Sequence, residues 1–269
     1  MRALLKVGIS MLLLAFALIA VSYSMLRAHG ATNPSSAQGR APASETRDIG
    51  NGITSVELSG PIDLTLRQGD KPSLKVRGEQ RLLGNVETEQ DGNTLHIGTK
   101  GMLFHHRRPL QVELVLPSLS ELEIHGSGDS TVNGFSGEKL SVQVHGPGNL
   151  NFNGRFKKVD AGVHGSGDLT LNTGASDVVT LEMVGSGQIR SSGSCKSLNA
   201  ELTGSGDLDA QHLASDQVVV NLKGSGTTNV FARKSAELTL NGSGDIRVFG
   251  NPDNRNVSRT GSGEVSWDH

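Results

Sequence analysis

The chain has 269 residues, with 25 basic and 27 acidic side chains and a formal net charge of −2, which excludes the basic field a general nucleic-acid binder needs. Glycine is frequent at 35 residues and proline scarce at 8, so neither collagen nor a proline-rich linker fits. Aromatics at 3 % exclude an aromatic-filled core or a base-stacking surface, and a single cysteine, Cys195, excludes an intramolecular disulfide framework or a multi-cysteine metal site.

Arg2 and Lys6 precede an uncharged run from Val7 to Leu26. Such a run, at ~1.5 Å rise per residue, makes roughly 30 Å of helix, about one bilayer core. The positive flank predicts that the N-terminal side stays in the cytoplasm. Residues 1–30 are expected to be either a cleaved signal peptide, with Ala28-His29-Gly30 as a small-x-small site, or an uncleaved signal-anchor transmembrane helix over 7–26. No cysteine stands just after the run, which excludes a lipoprotein anchor, and both readings export the remainder. Residues 31–48 are small, polar and proline-containing and read as a flexible linker.

From residue 49 the pattern changes to alternation. Val56 and Leu58, Ile62, Leu64 and Leu66, Leu74 and Val76, Leu95 and Ile97, and Val112 and Leu114 all alternate with polar neighbours, the period of a strand with one buried face. Asp91-Gly92 reads as a hairpin turn. Residues 49–119 are expected to form an N-terminal β region that caps the C-terminal part of the chain.

Residues 120–269 carry a repeat. Gly-Ser-Gly spans Gly126–Gly128, Gly165–Gly167, Gly185–Gly187, Gly204–Gly206, Gly224–Gly226, Gly242–Gly244 and Gly261–Gly263, and Gly146-Pro147-Gly148 fills the one gap. Successive starts differ by 20, 19, 20, 19, 20, 18 and 19 residues. Alternating aliphatics flank each corner, such as Leu140, Val142 and Val144 before one and Leu150 and Phe152 after it. Each unit is therefore strand, tight bend, strand, looser turn. One unit cannot bury its own apolar face, so units must stack. The predicted fold is all-β: a single parallel β-helix, or β-solenoid, with rungs of about 19–20 residues, the right-handed coil being favoured by parallel-crossover chirality. The glycines are structural turn residues, needed for backbone angles other residues avoid and for close stacking of rungs. Ser59-Gly60-Pro61 is a degenerate version of the same bend, and Trp267 is expected to plug the core in the last strand.

These GSG-strand repeats, with the opening GITSVELSGPIDLTLRQG and the segment from Leu114 to Leu119, resemble the DUF2807 family, the putative auto-transporter adhesin, head GIN domain. The likeness covers about residues 50 to 265. It implies a β-helical fold and export from a bacterial, mostly Gram-negative, cell. It brings no established catalytic or binding residues. The departures are Gly146-Pro147-Gly148 and the missing lipobox.

Stacking turns each repeat position into a column of side chains ~4.8 Å apart. The residue after each corner gives Asp129, Asn149, Asp168, Gln188, Asp207, Thr227, Asp245 and Glu264. This column is either a set of polar residues that cap the bend or a ligand-binding ladder, with Asp129, Asn149, Asp168, Asp207 and Asp245 as its binding residues and a divalent cation as one occupant. The residue before the corner gives His125, His145 and His164. These are either a solvated column or ligands to a shared transition metal. His105-His106-Arg107-Arg108 reads as a basic loop, and Cys195 as an inert thiol or an interchain crosslink. No nucleophile elbow, paired-acid signature or HExxH motif is present.

The function expected is that of a non-catalytic, exported cell-envelope module. It would offer a repetitive polar face to a glycan or protein, in an adhesin-like or scaffold role, in the periplasm or envelope of a Gram-negative bacterium. No cofactor and no nucleic-acid partner are implied; a membrane is implied through residues 7–26 if they are retained. The rivals are a carbohydrate-active enzyme using Asp168 or Asp207 and a purely structural stalk.

Overall fold

The computed structural model describes residues 41–101 and 109–268. The expected leader over 1–30 and the basic loop at 105–108 lie outside them. Among the described residues no helix is long and apolar enough to cross a membrane.

Alternation becomes strand along most of the described residues, which coil into a β-solenoid of about seven turns. The regular part consists of β9 (Asp129–Gly146), β10 (Asn149–Gly165), β11 (Asp168–Gly185), β12 (Gln188–Gly204), β13 (Asp207–Gly224) and β14 (Thr227–Gly242), each running from one glycine corner to the next. Each stacks in parallel on its predecessor. The looser turn shows as a break in register, between Asn172 and Ala175 in β11 and between Ala210 and Ala214 in β13. Unequal spacings between corners are absorbed there, so the corners themselves stay aligned.

The core is a thin slab of aliphatic columns. Val144, Val163, Met183, Leu202, Leu222 and Leu240 lie rung on rung and are buried. Each side chain of this kind contributes about 1.5–3 kcal/mol over its exposed state. Phe135, Phe152 and Phe156 fill the wider space by the looser turn.

The N-terminal region belongs to the same stack, but its rungs are threaded out of chain order. Its elements are β1 (Pro42–Arg47), β2 (Ser55–Gly60), β3 (Ile62–Gln68), β4 (Ser73–Glu79), the single helical turn α1 (Gln80–Leu83), β5 (Val86–Asp91), β6 (Thr94–Thr99), β7 (Leu110–Leu116) and β8 (Glu121–Gly126). Strand β2 lies between β6 and β8, and β3 between β7 and β9, all parallel. The later segment β6–β7 thus stacks on the outer side of β2–β3, and β8–β9 on the inner side. Antiparallel strands close the end: β5 on β6 through the Asp91-Gly92 hairpin, and β4 on β7. Strand β1 pairs with β4, so Pro42–Arg47 form an edge strand inside the segment expected to be linker. The free backbone groups of β4 supply the reason: they need partners whatever the side chains of the pairing segment are. A polar, proline-bearing edge also resists further pairing.

At the other end β15 (Asp245–Phe249) and β16 (Asn254–Gly261) lie on β14, and β17 (Glu264–Asp268) lies on β15. Trp267 packs over the last rung only partly buried, beneath the Arg255 guanidinium 4.5 Å from its ring centre. It closes the end of the core rather than plugging its interior, because no further rung covers it among the described residues.

Candidate functional site

The glycine corners are in register along one edge: Gly60 faces Gly126, Gly146 faces Gly165, and the pairing continues through Gly185, Gly204, Gly224 and Gly242 to Gly261. The two glycines of a corner have different jobs. The first, from Gly146 onward and as at Gly165 (φ +139°) and Gly224 (φ +140°), adopts a backbone angle that only glycine takes without strain. The second is not in that region, and its need is space. A Cβ at Gly148 would sit 2.9 Å from the carbonyl oxygens of Gly126 and Gly128, and one at Gly226 would collide with the Gly206 carbonyl. The middle residue is exposed, which is why Pro147 is accepted there. It gives up the N–H that Ser205, Ser225 and Ser243 donate to the glycine carbonyl one rung back, and keeps the bond of the second glycine, whose N–H at Gly148 donates to the Gly126 carbonyl at 2.9 Å.

The column after the corner is tied into this edge. The Asp63 carboxylate accepts the Asp129 N–H at 3.0 Å, Asp168 accepts Gln188 N–H at 3.1 Å, Asp207 accepts Thr227 N–H at 2.7 Å, and Asp245 accepts Glu264 N–H at 3.0 Å. Asn149 does the same for Asp168 at 3.3 Å and donates its amide to Asp129 at 2.9 Å. Above Gln188 and Thr227, the N–H groups of Asp207 and Asp245 turn instead to the carbonyls of Gly187 and Gly226. Short acceptors thus cap the next rung, as the turn-capping reading requires. Asp63, Asp168, Asp207 and Asp245 each use one oxygen this way, whereas Asp129 uses one to accept the Asn149 side-chain amide. Beside the column runs a shallow groove of about 260 Å³ that Asp129, Asn149, Asp168 and Arg190 help to line.

The column before the corner gathers the three histidines. His125 and His145 stack with ring centres 4.6 Å apart and planes 6° from parallel; His145 and His164 stack at 5.0 Å and 10°. Strand alternation puts Glu123 on the same outward face, two residues before His125. Its Oε1 lies 2.8 Å from His125 Nε2 and 3.4 Å from His145 Nε2. The side chains of Glu123, His125 and His145 are 39 %, 40 % and 34 % exposed. Partial burial, helped by the rings of His125 and His164, holds His145 below its ordinary value near 6.5, against the opposing pull of Glu123. The convergent ligand atoms are those of Glu123, His125 and His145, all within 4.8 Å of one another. His164 stands outside that set, one rung further on.

The sequence profile of the family described as "Putative auto-transporter adhesin, head GIN domain" matches residues 53–252. The chain belongs to this DUF2807 family. Solved structures share the fold. A putative adhesin from Parabacteroides distasonis is 23 % identical, covering 86 % of this chain and 98 % of its own, with a TM-score of 0.80. A putative adhesin from Parabacteroides merdae is 19 % identical over 85 % and 96 %, with a TM-score of 0.79. A protein named a putative lipid binding protein, also from P. distasonis, is 24 % identical over 84 % and 97 %, with a TM-score of 0.76. No curated protein matches the chain.

In this DUF2807 chain two members of the columns escape a reading of the repeat. Asp63 heads the acceptor column, although Ile62 stands where the second corner glycine would be; the signal was Gly60, read as a degenerate corner. Glu123 joins the histidines, and its signal was its place two residues before His125. Cys195 points inward, buried, with its Sγ 3.2 Å from Ser215 Oγ. Burial pushes its thiol up, so it is an inert core group and not an interchain crosslink.

Proposed function

We propose that the protein is an exported, non-catalytic cell-envelope module that binds or scaffolds an extended polymeric partner, glycan or protein, along its glycine-corner edge. The observation that carries this reading is the acceptor column of Asp129, Asn149, Asp168, Asp207 and Asp245, stacked rung on rung, with an open groove beside its first three members. A hydrogen bond along the stack holds each carboxylate by one oxygen and leaves its second oxygen for a ligand, so the edge offers polar groups at one repeating interval, which suits a polymer better than a small molecule. The family's description as an adhesin head supports the role and the export. Residues 7–26 place the module at the inner membrane facing the periplasm of a Gram-negative cell if they are retained. In this reading the coil is right-handed, with rungs of 19–20 residues.

The test is a glycan array and an envelope-protein overlay with purified full-length protein, alongside a sugar-release assay. The expected result is polymer binding without sugar release. The triple variant Asp129→Asn, Asp168→Asn, Asp207→Asn keeps a side-chain oxygen at each position to accept the same hydrogen bond and removes the charge. Weakened binding supports the corner edge. Unchanged binding moves the site elsewhere, and sugar release overturns the non-catalytic reading.

A further inference from the structure

We propose that Glu123, His125 and His145 form a site for a borderline transition-metal dication, Zn²⁺ foremost, that bridges two adjacent rungs of the stack. Strand β8 supplies a carboxylate and an imidazole two residues apart, and β9 supplies the second imidazole directly above the first, since His125 faces His145 in the parallel register. Both Nε2 atoms address the same carboxylate oxygen, at 2.8 and 3.4 Å. The three ligand atoms are therefore already neighbours, within 4.8 Å of one another.

The donor set selects the metal class. Imidazole nitrogen with one carboxylate suits zinc and its neighbours in the first transition row, whereas calcium and magnesium want oxygen alone. Zinc holds each such donor at ~2.0–2.2 Å, which puts tetrahedral donors roughly 3.3 Å apart. The present separations, up to 4.8 Å, close by side-chain rotation, which partly exposed rings on an outward face are free to make. The rings must tilt out of parallel so that both lone pairs meet the ion.

Two neighbours shape the site. Gln143 faces Glu123 one rung up and Gly162 on the other side. A Cβ at Gly162 would strike Gln143 Oε1, so the absent side chain lets Gln143 lie along the stack away from Glu123. Gln143 Oε1 is left buried without a hydrogen-bond partner, over Gly162 and on the side away from Glu123. The exposed side of the cluster leaves a coordination position for water or for a group on a partner. A bound ion would pin the β8 rung to β9, where the threaded N-terminal rungs meet the regular repeat.

The experiment uses untagged, full-length protein stripped with chelator. Zinc chloride is titrated by calorimetry and by thermal melting, and cobalt(II) is added for its visible absorption. The expected result is a zinc-dependent rise in melting temperature, with Glu123→Gln and His145→Asn each weakening zinc at least about tenfold and dimming the cobalt bands. Calcium should have no effect, and His96→Asn, on the same face, should bind as the parent does. Where either variant melts early in chelator, His125→Asn provides the same comparison. Absence of zinc binding by the parent protein, or equal binding by parent and all three cluster variants, overturns the proposal.

Discussion

Four glycine-to-alanine substitutions separate the two demands that the corners make. Gly224 has φ +140° and no room for a Cβ against the Gly204 carbonyl; Gly226 lacks the positive φ but would collide with the Gly206 carbonyl. Gly52 has φ +82° and open space, and Gly84 has φ −68° and open space. Positive φ in a residue with a side chain costs ~1–2 kcal/mol; pushing atoms into a filled site costs a further ~1–3 kcal/mol. Gly224→Ala also displaces the Ser225 N–H from the Gly204 carbonyl, now 3.0 Å away, which adds about 1 kcal/mol. The expected losses are therefore about 3–6 kcal/mol for Gly224→Ala, about 1–3 for Gly226→Ala and about 1–2 for Gly52→Ala. Gly84→Ala should be neutral or gain ~0.4–1 kcal/mol, because alanine narrows the unfolded ensemble. Urea unfolding followed by circular dichroism reads the series. If Gly226→Ala proves as mild as Gly84→Ala, the rungs do not press together at the corner and the steric reasoning fails.

Other outcomes rest on single contacts. Asp207→Ala removes the acceptor of the Thr227 N–H and should cost about 1 kcal/mol, whereas Asp207→Asn should be nearly neutral, both read by urea midpoint. His145 has a folded pKa below its unfolded value near 6.5. In metal-free buffer the unfolded state therefore takes up the proton first, and stability should fall as pH drops through 6.5 toward the folded value. His145→Asn should flatten that slope in melting scans, with His125, His164 and Glu123 still in place. The Cys195 thiol, raised by burial, should resist a thiol reagent at pH 8 in native protein and react fully in urea. A fast native reaction would contradict its place in the core.

The regular solenoid could be read from the sequence because corner spacing and period-two alternation report one geometry twice. The steric need of the second corner glycine shows only when the facing carbonyl is in place. The threading of β6–β7 outside β2–β3 could not be read. All four strands carry the same alternation, and nothing local says which rung a strand joins. Strand β1 was hidden because an edge strand forms through its backbone and needs no apolar stripe. The histidine column was visible as a repeat position, yet its carboxylate was not, since Glu123 belongs to a different column and joins the rings by strand alternation. Cys195 read as an inert thiol or an interchain crosslink, because only register sets it between Ser176 and Ser215.

The central claim is that the corners form one straight ladder, and a set of spin-label distances tests it most directly. In a Cys195→Ser background, Ser127 is paired by cysteine substitution with Ser205, Ser225, Ser243 or Ser262, which lie four, five, six and seven rungs away. At ~4.8 Å per rung the separations should rise evenly through roughly 19, 24, 29 and 34 Å. Distances that scatter, or that fail to grow in that order, would contradict it.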